Sequence, residues 1–441
     1  MTEFADAPID QASAASLLSN GLRLGLVDTS DSAQFETWLR ADSRGFHGPE
    51  ASAETIAHHV SGLADRRTTG VWDDSTLDPA MPVATVSSWT VDMTVPGRRT
   101  IEAWAISSVT VSPTHRRKGI ARALLEGELR TAHRRGTPMA TLTVSESTIY
   151  GRFGFAPAAF ATDLEIDATR VTWTGPIPDG RVNFVTRAQF RTEVAAMHDR
   201  VRLDSPGQIP AWDLRWDQFA GLVDDDTTKG ADLRAVRYDD VDGQPRGLAL
   251  YRVTENHGDF AGHTLTLLHL SHETDDAYHA LWRFVLEMDL VRTIKARHRS
   301  VDEPVVWNVS DRRAVSQTTW DHLWLRILDV PAALEARSYA REARCVLRVQ
   351  DELGFAAGTY LLEVDATGFA QVTSGFDADD SSAVSLPAVS LPVTSLSALY
   401  LGGVSASTLA AAGLLAGTAE SISILDSVFH STRAPWLSIW F

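Results

Sequence analysis

Between Ile120 and Arg134 the apolar residues recur at helical spacing. Ile120, Leu124, Leu125, Leu129 and Ala132 fall on one face, while Arg122, Glu126, Arg130 and Arg134 fall elsewhere. That pattern predicts an amphipathic helix. Alternating apolar and polar positions predict strands at Leu22 to Val27, Gly70 to Asp73, Val83 to Met93 and Ile101 to Val111, with Val95-Pro96-Gly97 as the hairpin turn between the last two. Asp28 to Ser32 carries the polar residues that precede a helix, which runs to about Asp42. The stretch Phe46-His47-Gly48-Pro49-Glu50 forces a turn before a second helix, Ala53 to Leu63, and Met139 to Val144 is the strand after the long helix. The predicted order is β-α-α-β-β-β-α-β. Residues 1 to about 20, rich in Ala and Ser and acidic, read as a loose tail or a short helix in front of it.

A mixed sheet covered by helices, of the α/β to α+β class, suits this order. Strand-like pieces and a Gly-Pro-x-Pro-Asp-Gly turn follow between Asp163 and Asn183, and the first domain is placed at 1–170. In 171–320 a helix is expected over Thr192 to Val201, strands over Ala235 to Tyr238, Arg246 to Val253 and Thr264 to Leu270, and an amphipathic helix over Asp275 to Val291. From 321 to 441 the composition changes. Strands are expected at Leu323 to Val330, Arg344 to Gln350, Thr359 to Asp365 and Phe369 to Thr373, with helices at Pro331 to Tyr339 and Ala406 to Leu415 and a polar loop at Asp377 to Ser382.

A chain of 441 residues exceeds the ~100–200 of one domain, so two or three are expected. The formal charge of −17 argues against nucleic acid as the main partner and favours cationic small molecules. Cys345, the one cysteine, excludes an intrachain disulfide framework, and its apolar surroundings suit a buried structural thiol. Met1 to Gln11 lacks a basic start and an apolar core, and the best apolar run, Leu396 to Leu415, is broken by Ser, Thr and paired glycines. A cytoplasmic protein without membrane contact is expected.

Candidate chemistry concentrates between Val109 and Phe155. The turn Arg116-Arg117-Lys118-Gly119-Ile120-Ala121 offers successive backbone N–H groups, no Cβ at Gly119, the positive end of a helix and three cationic side chains, which together suit a diphosphate. Tyr150 follows the next strand. Its phenol could supply a proton to a leaving thiolate, or its ring could simply fill the turn before Gly151. The apolar chain end, Ala434-Pro435-Trp436-Leu437-Ser438-Ile439-Trp440-Phe441, reads either as an edge strand or as a docked tail. A carboxylate docked beside apolar rings would be a usable base.

The run S-P-T-H-R-R-K-G at Ser112 to Gly119, followed by I-Y-G-R-F-G-F at Ile149 to Phe155, resembles the GNAT acetyltransferases, and within them the enhanced intracellular survival (Eis) type. The runs Leu323 to Arg337 and Leu399 to Ala412 extend the resemblance over most of the chain. It implies tandem GNAT-like domains, mixed twisted sheets with helices, followed by a sterol-carrier-like α+β domain. It also implies acetyl-coenzyme A held by Val109, Thr110, Val111, Arg116, Arg117, Lys118, Gly119, Ile120, Ala121 and Ser145, Tyr150 as acid, the Phe441 carboxylate as base, and a homohexamer. In the second domain Ser271 to Ala277 replaces the cradle with three carboxylates and no glycine, so no coenzyme A is expected there. His269, His272 and His279 match no closed zinc spacing and are expected to be solvated helix residues, with no metal.

Family members that acetylate aminoglycosides carry acidic residues where this chain has Gly45 and Trp440. A smaller or more aromatic amine is therefore expected, walled by Phe46, Trp89 and Trp440, with Asp42 as a substitute carboxylate. Two other functions fit the sequence: a lipid or acyl-coenzyme A carrier working through the third domain, and a regulator that binds acetyl-coenzyme A without turnover.

Overall fold

The computed structural model describes residues 4–223, 230–375 and 386–441. The chain divides into two compact units. The first comprises the stretch up to Ala159, Asp321–Pro435 and Trp440–Phe441; the second comprises Phe160–Trp320 and Trp436–Ile439.

In the first unit the elements run α1 (Gln11–Leu18), β1 (Arg23–Leu26), α2 (Ser32–Gly45), α3 (Ala53–Leu63), β2 (Arg67–Trp72), β3 (Ala84–Val95), β4 (Arg99–Val111), α4 (Ile120–Arg134) and β5 (Met139–Thr143). The expected order is present, and of the two readings of the leading residues the short helix is the one observed. Asp10 caps α1 and receives the guanidinium groups of Arg130 and Arg134 on α4, and the Ser13 hydroxyl donates to the Ala123 carbonyl. β1 to β4 pair antiparallel in sequence order, and β4 meets β5 in parallel.

The apolar face of α4 explains where it lies. Ile120, Leu124, Leu125, Leu129 and Ala132 join Val86, Trp104, Ile106, Leu142 and Phe155 in one buried cluster on one side of the sheet. Beneath it, the buried Arg67–Glu128 ion pair also receives the Trp104 Nε1–H. On the other side α2 and α3 cover Trp72 with Phe35, Trp38, Leu39 and Ile56.

Residues after Asp321 complete this unit. Leu323 to Ile327 pair antiparallel with β5, although the strand itself starts at Val315, well before the expected Leu323. A smaller sheet joins Ala343–Gln350 to Gly358–Val364, which continues to Ala370–Ser374, and in parallel to Ala388–Pro392. Neither Ala388–Pro392 nor the closing helix Ala419–Phe429 was expected from periodicity. The expected helix over Ala406 to Leu415 ends at Ala411, and Gly413 turns the chain with a φ of 75°. The expected loop at Asp377 to Ser382 lies outside the described residues. Cys345 is buried, and burial pushes its thiol up to about 12, as befits an inert core residue.

In the second unit Arg181–Val185, Leu233–Asp239, Pro245–Thr254 and His263–His272 pair antiparallel in sequence order. The helix over Asp275 stops at Leu286 instead of Val291, because Leu290 takes a φ of 64° that no helix accommodates. Val291–Arg299 then returns as a strand parallel to His263–His272. Its alternation was hidden by Arg292, Lys295 and Arg297, which interrupt the apolar positions. The apolar run near the chain end forms no strand. Within the second unit, Trp436 N–H donates to the Pro206 carbonyl, its indole donates to the His298 carbonyl, and Ser438 donates to Gln208.

Candidate active site

Pairing between β4 and β5 is confined to Ala103–Ala105 against Met139–Thr141. β4 runs on to Val111 with hydrogen bonds only to β3 among the described residues, so the segment Val109 to Val111 presents an open backbone edge. A bulge causes the divergence. Two steps along β3, from Thr85 to Ser87, span three along β4, from Thr110 to Ser107, and the extra turn is taken up at Ser108 with a φ of 56°. The Thr110 hydroxyl is committed to Thr85 at 2.6 Å, and its backbone pairs with Thr85 in the β3 ladder, so the outward backbone groups are those of Val109 and Val111.

At the far end of that edge, α4 begins at Gly119 with no side chain capping its first N–H groups. Arg117 and Gly119 both have left-handed backbones, φ 64° and 75°, and open space lies where a Gly119 Cβ would be. Arg116, Arg117 and Lys118 are exposed, whereas Ile120 is buried and offers only its N–H. The turn is anchored by His115, whose ring bonds Asp73 at 3.0 Å and Thr114 at 2.8 Å. Uncapped N–H groups, a helix dipole and three cations fit a diphosphate. Ser145, exposed after β5, lies at the opposite side of the opening in the chain order.

The equivalent helix of the second unit starts differently. The Thr274 side chain caps Ala277 N–H, Asp275 and Asp276 occupy the first turn, and Glu273 is held by Arg200 and Arg246. Carboxylates and a side-chain cap satisfy what a phosphate would need. His269 corrects an expectation: it is a strand residue buried among Phe190, Trp216 and Phe219, not a solvated helix residue, and burial lowers its imidazole to about 3. His272, on the same strand, lies against Tyr278, and His279, on the helix, against Trp173.

Tyr150 opens a short 3-10 turn, Tyr150–Phe153, and its ring meets Phe155 edge-on at 6.2 Å in the α4 core. Burial, and then the charge of Glu146, push its phenol up to about 12, so it holds its proton at neutral pH. Arg326, fully buried, fixes the turn by donating to the Phe153 carbonyl at 2.7 Å while Asp351 neutralises it. Gly154 is required there, since its φ is 87° and an added Cβ would lie 2.4 Å from Arg326 Nε.

On the α2 face of the sheet a second group of polar residues converges. Ser108 Oγ donates to Asp42 Oδ2 at 3.3 Å and Thr85 Oγ1 to Asp42 Oδ1 at 3.4 Å. Burial pushes the Asp42 carboxyl up to about 7, against those hydrogen bonds and the charge of Arg66. The Arg66 guanidinium covers the Trp89 ring at 3.7 Å, and Trp89 meets the Phe441 ring at 5.5 Å. Phe441 is tied to β5 by Thr143. Trp440 meets His322 edge-on at 4.6 Å, and Phe46 is half exposed, without a ring contact to this group among the described residues.

Gly45 is explained by packing. A Cβ there would meet the Thr110 side chain at 2.4 Å, so no acidic side chain fits, whereas Asp42 lies one helical turn earlier on the same face. Arg66, Thr85, Ser108 and Thr143 were not singled out from the sequence. Only the Arg66-Arg67 pair at the start of β2 stands out there, and it does not say which residue faces which side.

Models of the acetyltransferase (GNAT) domain match residues 27–158 and 208–327, and a sterol carrier protein domain matches 330–438. A Streptomyces avermitilis protein described as an uncharacterized N-acetyltransferase is 33% identical over 421 residues, 93% of this chain and 97% of that protein. The N-acetyltransferase Eis of Mycobacterium tuberculosis is 34% identical over 350 residues, covering 77% of this chain and 81% of its own. The crystal structure of Eis1 from Mycobacterium abscessus superposes with a TM-score of 0.79 at 27% identity, covering 95% of this chain and 100% of that one. With the two GNAT domains, the sterol-carrier-like domain and these relatives agreeing over nearly its whole length, the chain belongs to the Eis-type GNAT N-acetyltransferases.

Proposed function

We propose that this enzyme transfers the acetyl group of acetyl-coenzyme A directly to a primary amine of a small, aromatic or lysine-like acceptor. The observation that carries this is the end of the β4–β5 ladder at Ala105 and Thr141, with an uncapped cationic helix start following β4 and Tyr150 following β5. Residues 116 to 121 would hold the diphosphate, and the open edge of Val109 to Val111 would pair with the pantetheine arm as an added strand does.

Thioester chemistry then needs a proton for the departing sulfur and a neutral attacking nitrogen. The Tyr150 phenol, which keeps its proton at neutral pH, would donate to the thiolate as the carbon–sulfur bond breaks. A Phe441 carboxylate, held by Thr143 with its ring against Trp89, would take a proton from the acceptor nitrogen. The glycine at 45 and the indole of Trp440 leave less compensating charge for a broad polycation, which favours a smaller amine.

The test is thiol release from acetyl-coenzyme A with polyamines, aminoglycosides, lysine peptides and aralkyl amines, run beside a variant extended after Phe441. Amine-dependent release that the extension abolishes is expected. Release by the extended variant at the original rate would remove Phe441 from the mechanism, and binding without release across the panel would favour a regulator.

A further inference from the structure

The acceptor nitrogen has more protons to lose than Phe441 and Tyr150 account for. An ammonium that becomes an amide loses two protons. One is balanced by the proton that the thiolate gains, and the other must leave the site. A neutral amine is also required before the nitrogen lone pair can attack the thioester carbon, so one of the two protons must go first.

We propose that Asp42 takes that first proton, acting as a second carboxylate base at the bulge of β4. In this step one N–H bond of the acceptor ammonium breaks and an O–H bond forms on Asp42. The nitrogen keeps the electron pair, and no carbon bond changes. The second N–H proton leaves after attack and is balanced by the one Tyr150 gives to sulfur. The inference rests on the acetyltransferase function proposed above.

Placement supports this role. Asp42 is half-buried on α2 and touches Ser108, the residue whose left-handed backbone ends the regular β4 ladder beside Val109. Its two oxygens are bonded at 3.3 and 3.4 Å, long enough to be exchanged for a stronger donor such as an ammonium. Around it, β3 and β4 supply the Thr85 and Ser108 hydroxyls, and the charge acting on it is that of Arg66, ahead of β2. Burial outweighs all three and leaves the carboxyl poised near neutral pH, where it can accept a proton from the acceptor and release it to solvent. Phe441, tethered to β5, is left for the later proton.

The decisive comparison uses Asp42→Asn with two acceptors: phenethylamine, protonated at neutral pH, and the hydrazide of phenylacetic acid, which is neutral there. With phenethylamine at neutral pH, kcat/KM should fall about 100-fold, the size of a typical proton-transfer contribution. The deficit should shrink as pH rises toward that of the free amine, and the hydrazide should be acetylated at nearly the wild-type rate. Affinity for acetyl-coenzyme A, measured by titration of the same variant, should be unchanged. An equal loss with both acceptors, or one independent of pH, overturns the inference and makes Asp42 a packing residue. Wild-type silence toward both acceptors overturns the aromatic-amine acceptor and this role with it, and silence across the wider amine panel as well overturns the acetyl transfer proposed above.

Discussion

The Thr143 hydroxyl makes a two-point contact with the main chain of Phe441, accepting its N–H at 3.3 Å and donating to its oxygen at 2.5 Å. The two residues are 298 positions apart, yet this one side chain holds the end of the described chain against β5. A hydroxyl is needed because it can accept and donate at once. Thr143→Val keeps the shape and loses both bonds, so kcat should fall about tenfold with the melting temperature nearly unchanged. Thr143→Ser should restore most of it. Steady-state kinetics of the two variants check this, and full activity of the valine variant would show that the contact has no part in turnover.

Tyr150→Phe removes the proposed acid and keeps the ring that packs on Phe155. Turnover should drop by about 10²- to 10⁴-fold while acetyl-coenzyme A affinity, read by titration, holds. Because burial and Glu146 raise the phenol to about 12, the wild-type enzyme should show no alkaline loss attributable to Tyr150 below about pH 10. A Tyr150-dependent fall near neutral pH would contradict the acid role.

Placing a side chain at Gly45 should damage the fold before it alters specificity. An added Cβ meets Thr110 Cβ at 2.4 Å, and neither backbone element can retreat without disturbing β4. Gly45→Ala and Gly45→Asp should each cost about 1–3 kcal/mol, as overpacked cores do. Thermal denaturation reads this directly. A Gly45→Asp protein as stable as wild type would mean that α2 shifts readily and that the position is open to an acidic side chain.

Stability should also report the state of Asp42. Burial pushes its carboxyl up to about 7 in the fold, well above the ordinary carboxylate range, so between that range and the folded value the native state binds more protons than the unfolded chain. Stability from this group is therefore present at low pH and lost as pH rises through the folded value. Asp42→Asn lacks the charge and should melt higher than wild type at pH 8, with the gap narrowing as pH falls and closing only near pH 4. Scanning calorimetry at the two values decides it; a gap that does not depend on pH would show an unperturbed carboxyl.

Much of the first unit was legible because its signals are local. The face of α4, the hairpin at Val95 to Gly97 and the cradle at Arg116 to Ala121 each depend on spacing within one turn or one hairpin, and each element occurs where periodicity put it. The second unit's misplaced helix end shows the limit. Met288 and Leu290 extend the apolar pattern, but Leu290 turns left-handed so that Val291 can enter the sheet beside His263–His272, a partner more than twenty residues earlier. His269 failed for a related reason, since burial of a histidine depends on which rings arrive from Phe190, Trp216 and Phe219.

By itself the sequence determined the order of strands and helices, the uncapped cationic turn before α4, and the presence of a tyrosine after β5, because chain geometry and side-chain type act there over a few residues. Tertiary structure alone decided that β4 bulges at Ser108 and leaves β5, that Gly45 lies against Thr110, and that Asp42, Arg66, Trp89, Thr143 and Phe441 share one face. These depend on register between strands and on burial, where one extra residue in a ladder re-aims every side chain beyond it. A carboxylate's proton affinity is likewise set by the neighbours that exclude water from it, and Asp42 acquires those neighbours only when α2 closes over the β3–β4 bulge.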